Sequence, residues 1–341
     1  MKAARLHAYD SPLALDDVPQ PDLLGPGEVV VRIGGAGLCR TDLHIIEGIW
    51  REKVGVTLPY TLGHENAGWV EAVGEGVTTV REGDAVIVHP LVTCGVCPAC
   101  RRGEDMYCAN GSFPGITVDG GFAEYLRTNE RALVKLAEGI EPKDVAPYAD
   151  AGLTAYRAAR KAAGILRPGQ RVAVVGVGGL GHIALQVLHE LCAAEVVAVD
   201  RSELALGLAR ELGAEHVVTG GEHAVEAVRE LSGGEGVEAV VDFVGEGDSV
   251  DQGIAMLRRG GTYFAVGYGG RVHVPTIDVI FSEISVVGNL VGNYTELAEL
   301  MALAAQGRVH LRTQAYRLDD INTAVDDLHH GRIQGRGVIV P

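Results

Sequence analysis

Two short stretches of this chain crowd together side chains able to hold a metal and move a proton. Cys39-Arg40-Thr41-Asp42-Leu43-His44 packs a thiol, a hydroxyl, an acid and an imidazole into six residues, and Gly63-His64-Glu65-Asn66 sets a second imidazole beside a carboxylate. Taken singly, either histidine would more often be a packed structural residue than a ligand. A third stretch is of a different kind. Cys94, Cys97, Cys100 and Cys108, spaced C-x2-C-x2-C-x7-C, take four of the six cysteines. Four thiolates at this spacing close a tetrahedral shell around one zinc ion and leave no position for water or substrate, so this site is structural. Cys192, at the end of a helical pattern, reads as a small buried hydrophobe.

A further cluster carries phosphate chemistry. The apolar run 172–175 leads directly into Gly176-Val177-Gly178-Gly179-Leu180-Gly181, and a helical pattern starts at once. Here Gly176 makes the tight turn, Gly178 lets the backbone approach a pyrophosphate, and Gly181 allows close helix–strand packing. The helix N-terminus supplies amide donors for the negative charge. Asp200 ends the next apolar run, where a ribose-binding acid is expected. A carboxylate there accepts hydrogen bonds from ribose hydroxyls and repels a 2′-phosphate, which favours NAD over NADP. Arg201 opposes that preference, because a guanidinium can hold such a phosphate.

The elements that must position these residues change character near residue 150. Before it, short alternating runs such as 28–33, 68–73 and 84–88, broken by Gly and Pro, predict a β-rich domain. From about 170, runs at 171–175, 195–199, 216–219, 237–243, 261–266 and 284–288 alternate with helical spacing. One helix is marked by Ile183, Ala184, Val187, Leu188 and Leu191, with weaker patterns at 204–212 and 250–257. That alternation predicts an α/β, doubly wound parallel sheet. Leu297, Leu300, Met301 and Ala304 fit another helix, and 337–340 reads as a strand returning to the first domain.

At 341 residues the chain is long enough for two domains. A net charge of −16 opposes a nucleic-acid partner, since neutralising phosphates needs clustered Lys and Arg. Neither a signal-peptide core nor an uninterrupted apolar span is present, which predicts a cytoplasmic protein with reduced cysteines and no membrane partner.

Taken together, Cys39-x-Thr41-Asp42-x-His44, Gly63-His64-Glu65, the four-cysteine stretch, the glycine loop with Asp200, and Gly335-Arg336 resemble the zinc-dependent medium-chain alcohol dehydrogenase family over essentially the whole chain. The resemblance implies a β-rich GroES-like catalytic domain over 1–150 with its zinc lobe at about 90–112. It also implies a Rossmann coenzyme domain over 151–288 and a returning segment over 289–341. Two zinc ions and NAD are the implied cofactors. Cys39 and His64 would hold the catalytic zinc, and relatives supply a third ligand, Cys, Asp or Glu, just before the coenzyme domain. The matching segment 147–154 puts Asp150 there; one thiolate plus one carboxylate balances the dication as two thiolates would.

Zinc with an open position lowers the pKa of an oxygen bound there. By resemblance, Thr41 would take the alcohol proton and His44 would pass it toward solvent. Glu65 would orient the metal shell or approach the metal during ligand exchange, and Asp42 would fix the His64 tautomer. Arg40 and Arg336 would contact the coenzyme pyrophosphate, with Val244 and Val266 near the nicotinamide. Leu43, Trp50 and Tyr294 are the candidates for the substrate pocket. The implied reaction passes hydride between an alcohol and NAD, giving an aldehyde or ketone. The short stretch from Cys108 to Gly120 points to the homotetrameric branch. Two alternatives are a polyol or amino-alcohol dehydrogenase of the same superfamily and a non-catalytic dinucleotide-binding protein.

Overall fold

The computed structural model describes residues 1–22 and 25–341. The chain divides into two compact units. The first takes 1–153, 292–306 and 311–341; the second takes 154–291 and 307–310. The sequence boundaries at 150 and 288 thus fall a few residues early, and the short piece 307–310 belongs to the second unit.

The first unit is built on Glu28–Leu38, a long strand whose residues are nearly all buried. It pairs antiparallel with Glu65–Val73, Tyr125–Asn129 and Arg336–Val340, so the C-terminal run does return to this sheet. Ala85–Val88 and Leu133–Lys135 extend the sheet on one side and Thr313–Arg317 on the other. Val29, Val31, Ile33, Val70, Val86 and Ile339 fill its core. Two register shifts interrupt the pairing of the long strand with Glu65–Val73. Such bulges bend a strand and re-aim its side chains. Beyond the second shift, Gly37 lies opposite Glu65. A Cβ at Gly37 would sit 2.0 Å from the Glu65 Oε2 atom, so only glycine admits this carboxylate into the sheet interior.

In the second unit, among the described residues, six parallel strands lie in the order His216–Thr219, Glu195–Asp200, Arg171–Val175, Val237–Asp242, Leu257–Ala265 and Ser285–Gly288. In chain order this is 3-2-1-4-5-6, which reverses direction beside Arg171–Val175 and opens a crevice at the strands' C-terminal ends. Buried Val and Ala runs form the inner strands Arg171–Val175, Glu195–Asp200 and Val237–Asp242, whose two faces are both covered. The helix Gly181–Leu191 follows the first of them, with Glu203–Glu211 and Ser249–Met256 where weaker periodicity predicted helices. Cys192 ends the first helix half-buried, its thiol 3.3 Å from the Leu188 carbonyl oxygen, rather than within the core as expected.

Candidate metal and coenzyme sites

The metal cluster of the first unit starts from one helix end. Cys39 is the N-cap of the helix Arg40–Ile46: its backbone N–H donates to the Asp42 carboxylate at 2.8 Å, and its sulfur accepts from the Thr41 N–H at 3.5 Å. A thiolate at this position faces the positive end of the helix. Asp42, fully buried, turns its other oxygen to His64 Nδ1, 3.3 Å away. On the far side of the ring, His64 Nε2 lies 3.5 Å from Asp150. Phe113 meets the imidazole edge-on, with ring centroids 5.9 Å apart. Asp150 itself stands between the turn Ala146–Ala149 and the helix Ala151–Ala163, where the chain changes direction.

Among the described residues, one ligand atom each from Cys39, His64, Glu65 and Asp150 comes within 4.8 Å of the others. Yet neither ring nitrogen of the buried His64 is in hydrogen-bond geometry with any neighbour. A neutral imidazole carries one N–H and cannot donate to the acceptors on both its sides, and a cation held by Nε2, the Cys39 sulfur and the Asp150 carboxylate would satisfy the second side. Burial by itself drives His64 toward its neutral form, but Asp42, Asp150 and Cys39 outweigh it and raise its pKa well above the ordinary range. This interior therefore attracts a positive charge, and the donor set of sulfur, nitrogen and carboxylate oxygen fits zinc.

Glu65 is the member with its own partners. Arg336 donates to both its oxygens, through Nε at 3.0 Å and through Nη2, and the Ala151 N–H donates at 3.0 Å. Burial pushes the Glu65 carboxyl up while the guanidinium pulls it back. Arg336 had been expected at a coenzyme pyrophosphate. It is buried in the first unit and paired with Glu65, because a desolvated guanidinium needs a carboxylate. Thr41 and His44 lie three residues apart on the helix Arg40–Ile46 and are both half-buried, while Leu43 is buried. Arg40 is exposed in the first turn, and Trp50 packs against the sheet core. The Tyr294 hydroxyl donates to the Leu133 carbonyl at 2.9 Å.

The other four cysteines also converge, their sulfurs within 4.8 Å of one another and none in a disulfide. Backbone donors tie the loop to its sulfurs, Cys97 N–H to Cys94 and Cys94 N–H to Cys108, both at 3.4 Å. Backbone amides of Val96 and Cys97 bring the Cys94 thiol down to about 6. Burial and the neighbouring Cys97 push Cys100 up to about 12. The start of the helix Tyr294–Ala305 grips this lobe: the Asn293 amide donates to the Gly103 carbonyl and the Tyr294 N–H to Asp105.

In the second unit, Gly176 has φ of +85°, and a Cβ there would strike Val244. A Cβ on Gly178 would meet nothing within 4 Å. None of the described residues fills that space, which leaves the backbone open to a pyrophosphate. Gly181 has a cause different from the expected one: its Cβ would strike the Gly176 carbonyl, within the loop itself. Gly179 and Leu180 complete the loop, with Leu180 the N-cap of the helix. Asp200 accepts from the Val177 N–H at 2.7 Å and the Ser202 N–H at 2.8 Å, which fixes its carboxylate beside the loop.

Asp242 was missed by sequence reasoning. It ends its strand as Asp200 ends another, and that position was the available signal. Fully buried, it accepts from the N–H groups of Val244 and Gly245 and from the Tyr263 hydroxyl at 2.6 Å. Its carbonyl also accepts from the Val266 N–H, so one residue holds both valines singled out beside the nicotinamide.

The comparisons with known proteins give the family. Residues 25–138 match the alcohol dehydrogenase GroES-like domain, and residues 179–306 match the zinc-binding dehydrogenase family. A NAD-dependent alcohol dehydrogenase of Sulfolobus acidocaldarius is 35% identical, covering 99% of each chain. D-arabinose 1-dehydrogenase (NADP(+)) of Saccharolobus solfataricus is 36% identical, covering 100% of this chain and 97% of its own. The crystal structure of the alcohol dehydrogenase from Aeropyrum pernix superposes with a TM-score of 0.97 at 51% identity, covering 100% of both chains. With its GroES-like sheet, its doubly wound coenzyme unit and two clusters of zinc-ligand type, this chain belongs to the zinc-binding alcohol dehydrogenase family.

Proposed function

We propose that this protein is a zinc-dependent, NAD-dependent alcohol dehydrogenase, interconverting a small alcohol with its aldehyde or ketone. The observation that carries this reading is the convergence of a sulfur, an imidazole nitrogen and a carboxylate oxygen, from Cys39, His64 and Asp150, in one buried cluster. These three residues would hold a zinc ion, which would supply Lewis-acid chemistry toward an alcohol or a carbonyl. NAD supplies the hydride acceptor.

The chain's own residues do the rest. Asp42 faces Nδ1 of His64 and so keeps the proton on that nitrogen, leaving the Nε2 lone pair for the metal. Arg336 and the Ala151 N–H occupy Glu65, which makes this carboxylate a positioning group beneath the cluster. Thr41 is the proposed acceptor of the alcohol proton, and His44, on the same helix face, is the proposed route to solvent. Arg40 is the proposed pyrophosphate contact, and Leu43, Trp50, Tyr294 and Phe113 are the proposed pocket walls.

The proposed assembly is a homotetramer. Its support is the strand Ser285–Gly288, an uncharged edge of the parallel sheet, beside the helix Thr276–Ser282, which buries none of its residues. Val286, Ile277, Ile280 and Phe281 are all exposed there, and open apolar edges of this kind pair with another chain. The proposed location is the cytoplasm, where thiols stay reduced for metal binding. Among the described residues, no helix is long and apolar enough to cross a membrane.

A second reading, oxidation of a sugar or polyol, is favoured by the likeness to an arabinose dehydrogenase. One assay separates the two. Nicotinamide absorbance is followed with primary alcohols, secondary alcohols, polyols and aldopentoses, on protein whose zinc content has been measured. Two zinc ions per chain and turnover of simple alcohols are expected. Protein that carries both metals and binds NADH, yet turns over nothing in the panel, would support a non-catalytic dinucleotide-binding role.

A further inference from the structure

Above the glycine loop of the second unit lies a cavity of about 340 Å³ lined by Gly176, Asp200, Arg201, Glu246, Asp248 and Gln252 among others. Three of these side chains are carboxylates and one is a guanidinium, an arrangement hostile to a second phosphate. The guanidinium is also committed. Arg201 turns away from its neighbour Asp200 and places Nη2 2.7 Å from Asp248 Oδ1. The other oxygen of Asp248 accepts from the Gln252 side-chain amide at 2.8 Å, so Asp248 is held from two sides at the start of the helix Ser249–Met256. Gly220 makes the approach possible, since a Cβ there would lie 3.1 Å from Arg201 Cγ.

We propose that Asp248 is a coenzyme-specificity residue: by pairing with Arg201 it withholds that guanidinium from a 2′-phosphate and keeps the site selective for NAD over NADP. The proposal rests on the reading of this cavity as the site for the adenosine end of NAD. Asp200, fixed by two backbone donors, keeps lone pairs for ribose hydroxyls. A coenzyme with a phosphate on that ribose would need Arg201 to swing toward it. The swing breaks the pair, so binding the 2′-phosphate is offset by the loss of the Arg201–Asp248 contact. Both partners are largely exposed, at 71% and 56% of their side chains, which makes this a graded preference rather than a lock. Asp248 acts through Arg201 and touches no reacting atom, so it is a positioning residue.

The test is an equilibrium titration of the zinc-loaded protein with NADH and NADPH, read by nicotinamide fluorescence at low ionic strength. Wild type binds NADH more tightly. In Asp248→Asn, which keeps size and an acceptor for Gln252, the NADPH affinity rises relative to NADH by about fivefold, the upper worth of an exposed pair. Asp248→Glu retains the wild-type ratio. On an Arg201→Gln background the Asp248→Asn shift shrinks to within about twofold, because the two residues act as one unit. An unchanged NADPH/NADH ratio in Asp248→Asn, or a full shift in the absence of Arg201, overturns the assignment of Asp248 while leaving the NAD reading intact. A wild-type preference for NADPH overturns both, and the melting temperature of each variant separates misfolding from altered selectivity.

Discussion

His64 meets more demands than any other residue of the first cluster. One nitrogen faces Asp42, the other faces Asp150, Phe113 covers an edge, and solvent is excluded. Asp150→Ala should leave one zinc ion per chain instead of two, retained in the cysteine lobe, with turnover lost. Metal analysis beside the nicotinamide assay checks this, and full zinc content with unchanged turnover removes Asp150 from the ligand set. Asp42→Asn keeps size and weakens zinc affinity at this site by about 10–100-fold, as losing an outer partner of a metal-bound histidine does. Competition with a chromogenic chelator measures it. Beneath the cluster, Glu65 and Arg336 form a buried pair, so removing one partner is costly where removing both is milder. Arg336→Leu should cost about 3–5 kcal/mol in urea unfolding, and Glu65→Gln combined with it should recover part of that loss.

At the scale of elements, the cluster depends on where the strand Glu28–Leu38 ends. The strand delivers Cys39 to the start of a helix only seven residues long, too short to be stable alone and held by its capping box and by its buried Leu43 and Ile45. Its partner strand delivers Glu65 opposite Gly37. Gly37→Ala should therefore displace the Glu65 side chain and lower stability by about 1–3 kcal/mol, the usual range for overpacking. Chemical denaturation reads this directly, and a variant as stable as wild type would show that the carboxylate has room to move. The cysteine lobe is an element of another sort. It owes its shape to backbone amides directed at sulfur, with little regular structure.

At the scale of the whole molecule, the two units divide the labour. The first gathers the proposed metal ligands from residues 39, 64 and 150, and the second builds the proposed coenzyme crevice from successive strand ends. The outer strand Ser285–Gly288 and the helix Thr276–Ser282 leave an apolar face open. Phe281→Glu with Val286→Lys should shift the protein to a smaller species in light scattering after gel filtration, with the coenzyme loop untouched. An unchanged mass would place the subunit contact elsewhere. The net charge of −16 supplies repulsion between molecules in general, so the proposed association needs a specific face such as this one.

Local chemistry was written in the sequence. The cysteine spacing implied a closed shell, the glycine loop between strand and helix implied a phosphate cradle, and alternation of apolar runs with helical periodicity implied the doubly wound sheet. Each of these depends on residues close together in the chain, where spacing fixes geometry. Resemblance carried the assignment further, to Cys39, His64 and Asp150 as one set. Tertiary structure alone decided what meets across long separations. It put Arg336 on Glu65, 271 residues away. It gave Val244 and Val266 a common anchor in Asp242, and it turned Arg201 from Asp200 toward Asp248. A charged side chain takes the partner that burial and sheet register bring to it, and neither is encoded in the residues on its two sides.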